Sequence, residues 1–420
     1  MGPSYILGLL LACNLLKYVD RQVLYALLPL IKTDLDLSDA RLGMLASAFM
    51  FIYMFAAPPA GFLADRGSRR RWIASGVALW SLATSLTGLA RSFVQIFLAR
   101  AAIGIGQSGF SSVSPAFVAE HFPKERRGGV LAMYSLGIPV GSALGYVLGG
   151  WIGHRYGWRC ACLAAGLPGI ALAVLAWRLR DPRERDGNPP RPGAASEERP
   201  SAGALRKPPR LLDFPSLYRI RSYVAATLAM AAMTFALGGL AVWAPSFLTR
   251  YWAMNVSEAG MLFGGMTVVS GLVGTLLGGW LGDRLLRVTG KAYFLVSGAG
   301  LLLALPASVL AILTGSFGLM LAALFAAETL AFLNMGPLNA VFVCVTSPMM
   351  RSMAFAANIF VIHALGDAVS PAIIGYASDL WGLRAALVGA MFMLGVAGLI
   401  CMWGARHIEA DSREVENAAA

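Results

Sequence analysis

Charge is what this sequence has least of. Asp, Glu, Lys and Arg make up only 13% of its 420 residues, whereas 57% are hydrophobic and the mean hydropathy is +0.66. Soluble domains carry about 25% charged residues, so a soluble globular domain is excluded and a polytopic membrane protein is expected. Histidine and cysteine are also scarce, four and five residues. Cys160 and Cys162 are two apart, a spacing that points them to different sides of a helix, so neither a disulfide nor a metal pair is expected. All five cysteines read as small packing residues. No His/Cys metal spacing, nucleophile motif or phosphate loop is present, so no enzyme activity, metal or cofactor is expected. Acidic residues number 22 against 34 basic ones, a net charge of +12. The surplus sits in short loops between apolar runs, which marks orientation signals and not a nucleic-acid surface. Met1-Gly2-Pro3-Ser4 has no basic character, so no cleavable signal peptide is expected.

What is there is apolar length. Twelve stretches are long enough to cross a bilayer: roughly 5–31, 40–64, 72–91, 93–119, 128–152, 159–178, 222–249, 257–282, 291–314, 316–346, 352–378 and 383–405. This predicts an all-α membrane protein with an N-terminal six-helix bundle over 1–179 and a C-terminal one over 222–406. The polar segment 180–221, rich in proline and arginine, reads as a linker with a short amphipathic piece near Leu211 to Tyr218. Residues 407–420 read as a disordered tail. Basic residues follow the even-numbered spans, at Arg66, Arg69, Arg70 and Arg71, at Lys124, Arg126 and Arg127, and at Arg284, Arg287 and Lys291. Positive loops stay in the cytoplasm, so both termini are expected there, in the inner membrane.

The halves repeat. Gly61-Phe62-Leu63-Ala64-Asp65-Arg66 matches Gly279-Trp280-Leu281-Gly282-Asp283-Arg284. At a constant spacing of 225 residues, Pro123, Arg126, Gly141, Gly150, Gly157 and Arg159 meet Pro348, Arg351, Gly366, Gly375, Gly382 and Arg384. Parallel repeats of this kind place a transport site near the bilayer midplane, where the halves meet.

Gly61 to Arg71, between spans two and three, resembles the signature loop of the major facilitator superfamily. Four runs resemble its spinster branch: Asn14 to Arg21, Arg100 to Pro115, Ile138 to Tyr146 and His363 to Pro371. The resemblance implies a proton-linked carrier that works by alternating access on lysophospholipid or sphingolipid-like substrates. The expected partners are protons, the bilayer and an amphipathic small molecule, with the chain acting as a monomer. A carrier of small organic anions or drugs is the competing reading, and it would need a compact polar site in place of an apolar cleft. In span four the spinster pattern carries a glutamate where this chain has Gln107. Gln107 is read as a residue that can hydrogen-bond a substrate but cannot carry a proton, which leaves Asp20 as the one proton-titrating carboxylate expected inside the N-terminal half.

Ionisable groups inside a bilayer are costly and usually functional. Counted at about 1.5 Å per residue, Asp20 lies roughly 16 Å below the outer end of span one, between Arg100 at roughly 10 Å and Gln107 at roughly 21 Å. Glu328 and Asp367 both fall at roughly 18 Å in the C-terminal half. Asp20 and Arg100 are therefore read as a proton switch, against the alternative of a permanent ion pair. Lys17 either neutralises Asp20, contacts an anionic headgroup or snorkels toward the cytoplasm. Arg21 shares its helix stripe with Asn14, Lys17, Tyr18 and Tyr25, which is read as facing the cavity. Glu328, Asp367 and His363 are read as headgroup ligands or a second proton site, against a purely structural cluster. Asn358, like Asn334 and Asn339, is either a ligand or a helix-to-helix hydrogen bonder. Gly61, Asp65, Arg66 and Arg70, with Asp283 and Arg284, are read as a cytoplasmic latch acting through charge and helix dipole. Phe49, Phe51, Tyr53, Phe55, Phe235, Trp243, Phe332 and Phe360 either line an acyl-chain path or face lipid.

Overall fold

Backbone polar groups find no water in a bilayer, so each apolar run must satisfy them internally, as a helix. The structure is a computed structural model that describes residues 2–123, 126–179, 214–347 and 350–419. Residues 180–213 of the expected linker, together with Lys124 and Pro348, lie outside the described residues. The first six spans form α1 (Pro3–Leu35), α2 (Asp39–Arg66), α3 (Arg69–Thr87), α4 (Phe93–Glu120), α5 (Arg127–Ser135) and α6 (Gly137–Trp177). After α7 (Phe214–Leu217) come α8 (Arg221–Tyr251), α9 (Val256–Leu286), α10 (Ala292–Leu313), α11 (Phe317–Phe332) and α12 (Met335–Val345). The chain ends with α13 (Arg351–Ile362), a π-helical turn at His363–Asp367, α14 (Ser370–Trp381), α15 (Leu383–Gly404) and α16 (Ile408–Ala419).

Nine helical segments among the described residues are long and apolar enough to cross a membrane. One of them, Gly129–Trp177, holds spans five and six in succession. With the charge-bearing α1 and the 19-residue α3, the expected twelve are complete.

Three spans are broken, and each break lies three or four residues before a proline. Leu136 separates α5 from α6 ahead of Pro139, Leu333 and Asn334 separate α11 from α12 ahead of Pro337, and the π turn ends at Asp367 ahead of Pro371. A proline ring clashes with the carbonyl four residues earlier and removes one hydrogen bond. The helix gives way there.

Two compact units divide the chain, 1–204 with 244–265, and 205–243 with 266–420. The first unit takes in the end of α8 and the start of α9 because small residues admit close contact there. A Cβ on Gly150 would lie 2.6 Å from the Val256 carbonyl oxygen, and one on Gly260 would lie 2.4 Å from that of Tyr146. Asp39, buried at the start of α2, also accepts two hydrogen bonds from Arg250, at 2.6 and 2.7 Å, and one from Lys32 at 2.5 Å. In the second unit the tail differs from the expectation of disorder: α16 docks through buried Ile408, and the Asp411 carboxylate accepts the Ser222 N–H at 2.8 Å. None of the five cysteines forms a disulfide; Cys13, Cys162 and Cys401 are buried packers, whereas Cys160 and Cys344 are exposed.

The internal repeat is visible in the backbone. Gly157 (φ 84°, ψ 158°) and its counterpart Gly382 (φ 82°, ψ 152°) take the same extended left-handed conformation between the last two spans of each half. Only glycine enters that region without strain, and other residues cost about 1–3 kcal/mol. Nothing lies within 4 Å of a Cβ built at either position, so the penalty is purely conformational. Gly157→Ala and Gly382→Ala are each expected to destabilise the protein by about 1–3 kcal/mol. Unfolding in detergent checks this, with Gly265→Ala, another glycine with open space around its Cβ, as the control.

Candidate functional site

In α1 the polar residues break an otherwise apolar helix without breaking its fold, because α2, α3, α4 and α6 cover them. Glycines set the spacing: a Cβ on Gly104 of α4 would lie 2.8 Å from the Phe49 carbonyl of α2, and one on Gly106 would lie 2.7 Å from the Gly76 carbonyl of α3. Gly141 of α6 admits α1 in the same way: a Cβ there would lie 2.4 Å from the Leu15 carbonyl oxygen. This tight packing buries Lys17, Asp20 and Arg100 to 5%, 3% and 1% exposure.

Each charge has a definite partner. The Thr84 hydroxyl of α3 donates to Asp20 Oδ2 at 3.3 Å, and Oδ1 has no hydrogen bond. Arg100 Nε donates to the Leu45 carbonyl at 3.3 Å, and its Nη2 has no partner. Asp20 and Arg100 attract one another electrostatically, yet each places its hydrogen bond elsewhere. Arg21 Nε donates to Gln107 Oε1 at 2.8 Å, while Gln107 Nε2 donates to the Lys17 carbonyl at 3.2 Å. The Arg21 guanidinium is caged by Tyr18, Phe49 and Tyr53, with ring centroids 5.2, 4.6 and 4.9 Å away. Lys17 Nζ donates to Ser111 Oγ at 3.1 Å and lies 4.5 Å from the Tyr18 ring centroid.

The buried Lys17 and Arg100 and the half-buried Arg21 thus share one part of the bundle with a single carboxylate, Asp20. A buried charge without a counter-charge is costly, and aromatic faces with neutral acceptors make up only part of that cost. What the arrangement can do is hold an anion.

The second unit holds two separate polar clusters. Glu328 on α11 accepts from Thr267 at 3.1 Å and from Ser270 at 2.7 Å, both on α9. His363 Nδ1 and Asp367 Oδ1 pair at 2.8 Å on the π turn. No hydrogen bond or ion pair joins Glu328 to Asp367 among the described residues, although depth counting puts them level. Asn358 Nδ2 contacts the Met230 sulfur at 3.8 Å, and Asn339 Nδ2 donates to the Met335 carbonyl at 2.6 Å. Asn334 donates to the Ala331 carbonyl.

At the signature loop between α2 and α3, Gly61 lies against Ser112 and Arg70 Nη1 donates to the Leu179 carbonyl at 3.4 Å. The side chains of Asp65 and Arg66 lie outside the described ones. Arg69 pairs with Glu120, tying α3 to the end of α4. In the repeated copy Asp283 accepts from the Tyr293 hydroxyl at 3.4 Å, and Arg284 covers the Trp280 ring.

Several partners carried no signal in the sequence. Thr84, Ser111, Thr267 and Ser270 look like ordinary small packing residues until the helices are assembled. The aromatic residues also separate: Phe49 and Trp243 are fully buried, whereas Phe51, Phe55 and Phe360 are exposed.

The Major Facilitator Superfamily pattern matches residues 10–360. Protein spinster homolog 1 of Bos taurus is 30% identical over 448 residues, covering 98% of this chain and 82% of the relative. Its counterpart in Xenopus tropicalis is 32% identical over 400 residues, covering 90% of this chain and 74% of the relative. The crystal structure of a bacterial homolog to the human lysosomal transporter spinster, inward-facing and unoccupied, matches with a TM-score of 0.83. It is 23% identical and the match covers 97% of this chain and 98% of that one. The chain belongs to the major facilitator superfamily and, within it, to the spinster family of integral membrane transporters.

Proposed function

We propose that this transporter couples proton movement to the passage of an anionic, lysophospholipid-like amphiphile by alternating access. The observation that carries the reading is the charge balance around Asp20: the buried Lys17 and Arg100 and the half-buried Arg21 lie with this one carboxylate. A phosphate or phosphodiester headgroup supplies the missing negative charge, and Arg21 and Lys17 offer it hydrogen bonds. The resemblance of the Asn14 to Arg21 stretch to spinster carriers supports the lipid class. Asp20 carries the proton: charged, it offsets part of the cation set, and neutral, it leaves that set free for the anion. Glu328, Asn358, His363 and Asp367 serve the substrate from the second unit. The Gly61 to Arg70 loop and Asp283-Arg284 act as cytoplasmic latches. On this reading the protein works as a monomer in the inner membrane, with both termini in the cytoplasm and no bound cofactor.

Uptake into proteoliposomes under an imposed pH gradient tests the proposal. Lysophosphatidylglycerol should accumulate, and the accumulation should vanish when a protonophore collapses the gradient. Accumulation of a short organic anion with no uptake of the lipid overturns the substrate class. Lipid uptake indifferent to the gradient overturns the coupling.

A further inference from the structure

Two guanidinium groups share one ring. Phe49 of α2 is wholly buried, and the guanidinium carbons of Arg21 and Arg100 lie over its ring, 4.6 and 4.8 Å from the centroid. Neither arginine hydrogen-bonds to a carboxylate: Arg21 uses Gln107, Arg100 uses the Leu45 carbonyl, and each keeps an Nη2 without a partner. Resting on the function proposed above, we propose that Phe49 is a positioning residue that couples the proton on Asp20 to the anion held at Arg21 and Lys17.

The negative face of an aromatic ring attracts cations, and the attraction strengthens where water is absent. Phe49 therefore does two things at once. It holds Arg100 near Asp20, and it holds Arg21 within a fixed distance of Arg100, whose positive charge opposes its own. Protonating Asp20 removes the one negative charge from this group, so the net positive charge around the ring rises and an anion is held more tightly. By reciprocity, the anion favours the proton by the same factor. The ring is the element through which the two arginines keep their spacing, so its loss uncouples the two events.

Other charged or titratable groups border the site. From α1 these are Lys17, Tyr18 and Tyr25, from α2 Tyr53 and from α6 Cys162. From α3 the neutral Trp80 and Thr84 face Asp20. Asp20 is the one carboxylate among them.

The test measures binding of two probes to the full chain in detergent: oleoyl lysophosphatidylglycerol and glycerophosphoglycerol, the headgroup without its chain. Both are phosphodiesters and lack the second ionisation of a phosphate monoester at about pH 6. The unaltered protein should bind tighter on acidification from about pH 8 to about pH 5.5, by at least about fivefold, the low end of coupling between sites. Phe49→Leu keeps an apolar side chain of similar bulk but has no π face, and its affinity should become nearly independent of pH. Phe49→Tyr should restore the pH dependence, and Asp20→Asn should lack it. Equal weakening by Phe49→Leu at both pH values overturns the proposal, because a mere packing role predicts that result. Persisting pH dependence in Asp20→Asn overturns it as well. Should Phe49→Leu fail to fold, as judged by size-exclusion chromatography, Phe49→Tyr and Asp20→Asn still decide: a pH-independent Phe49→Tyr counts against the ring. Binding of glycerophosphoglycerol alone removes the lipid reading while the coupling is scored on that probe. Binding of neither probe overturns both.

Discussion

Replacing Asp20 with asparagine is expected to abolish uptake driven by a pH gradient while leaving headgroup binding intact. Asparagine matches aspartate in shape and can still accept the hydrogen bond that Thr84 donates at 3.3 Å, so the packing of α1 against α3 survives. What disappears is the one negative charge among Lys17, Arg21 and Arg100. The variant imitates a permanently protonated carrier. Coupling between two sites usually amounts to about 5–150-fold in affinity, so accumulation should fall by that order, to the level seen without a gradient. Counterflow exchange of labelled lysophospholipid at zero gradient should persist. Undiminished gradient-driven uptake would remove Asp20 from the mechanism.

The second large effect concerns Gln107. Its Oε1 accepts the Arg21 Nε–H at 2.8 Å, so Gln107→Glu places a carboxylate oxygen against that guanidinium with little change of shape. Arg21 then has a resident counter-charge, and an incoming anion has to compete with it. Hydrogen bonds to charged groups contribute about 1.5–3 kcal/mol, so the anionic probe should bind about 10- to 100-fold more weakly at neutral pH. Acidification that neutralises the new carboxyl should recover the affinity, giving a steeper pH profile than that of the unaltered protein. Isothermal titration with lysophosphatidylglycerol, whose phosphodiester keeps its charge, at several pH values reads both effects. Unchanged affinity would show that Arg21 does not receive the headgroup. The same comparison suggests why the glutamine matters: it positions Arg21 without neutralising it.

Much of the architecture is legible along the chain. Twelve spans follow from apolar length, because a bilayer leaves the backbone no alternative to the helix. The repeat at 225 residues predicted a shared geometry, and Gly157 and Gly382 adopt it with φ of 84° and 82°. Glycine cannot be replaced there without strain, which is why the identity survives in both halves. The tail was less legible: its low hydropathy suggested disorder, whereas Ile408 and Asp411 give α16 an apolar anchor and an acceptor for the start of α8.

Asn14 to Arg21 marks the limit. Composition alone singles out this stretch, since charges in an apolar run are costly wherever they fall, and counting residues along the helix gives their depth. Depth leaves azimuth undetermined. Which neighbour each side chain meets depends on how far every helix is rotated about its own axis and how closely Gly104, Gly106 and Gly141 let the helices approach. Those choices gave Asp20 its bond from Thr84, gave Arg21 its bond to Gln107, and set both arginines against Phe49. The sequence determined that buried charge must be managed at this level of the membrane. Only the tertiary structure decided which groups manage it, because hydrogen bonds and cation–π contacts depend on separations of a few ångströms that no spacing along one chain encodes.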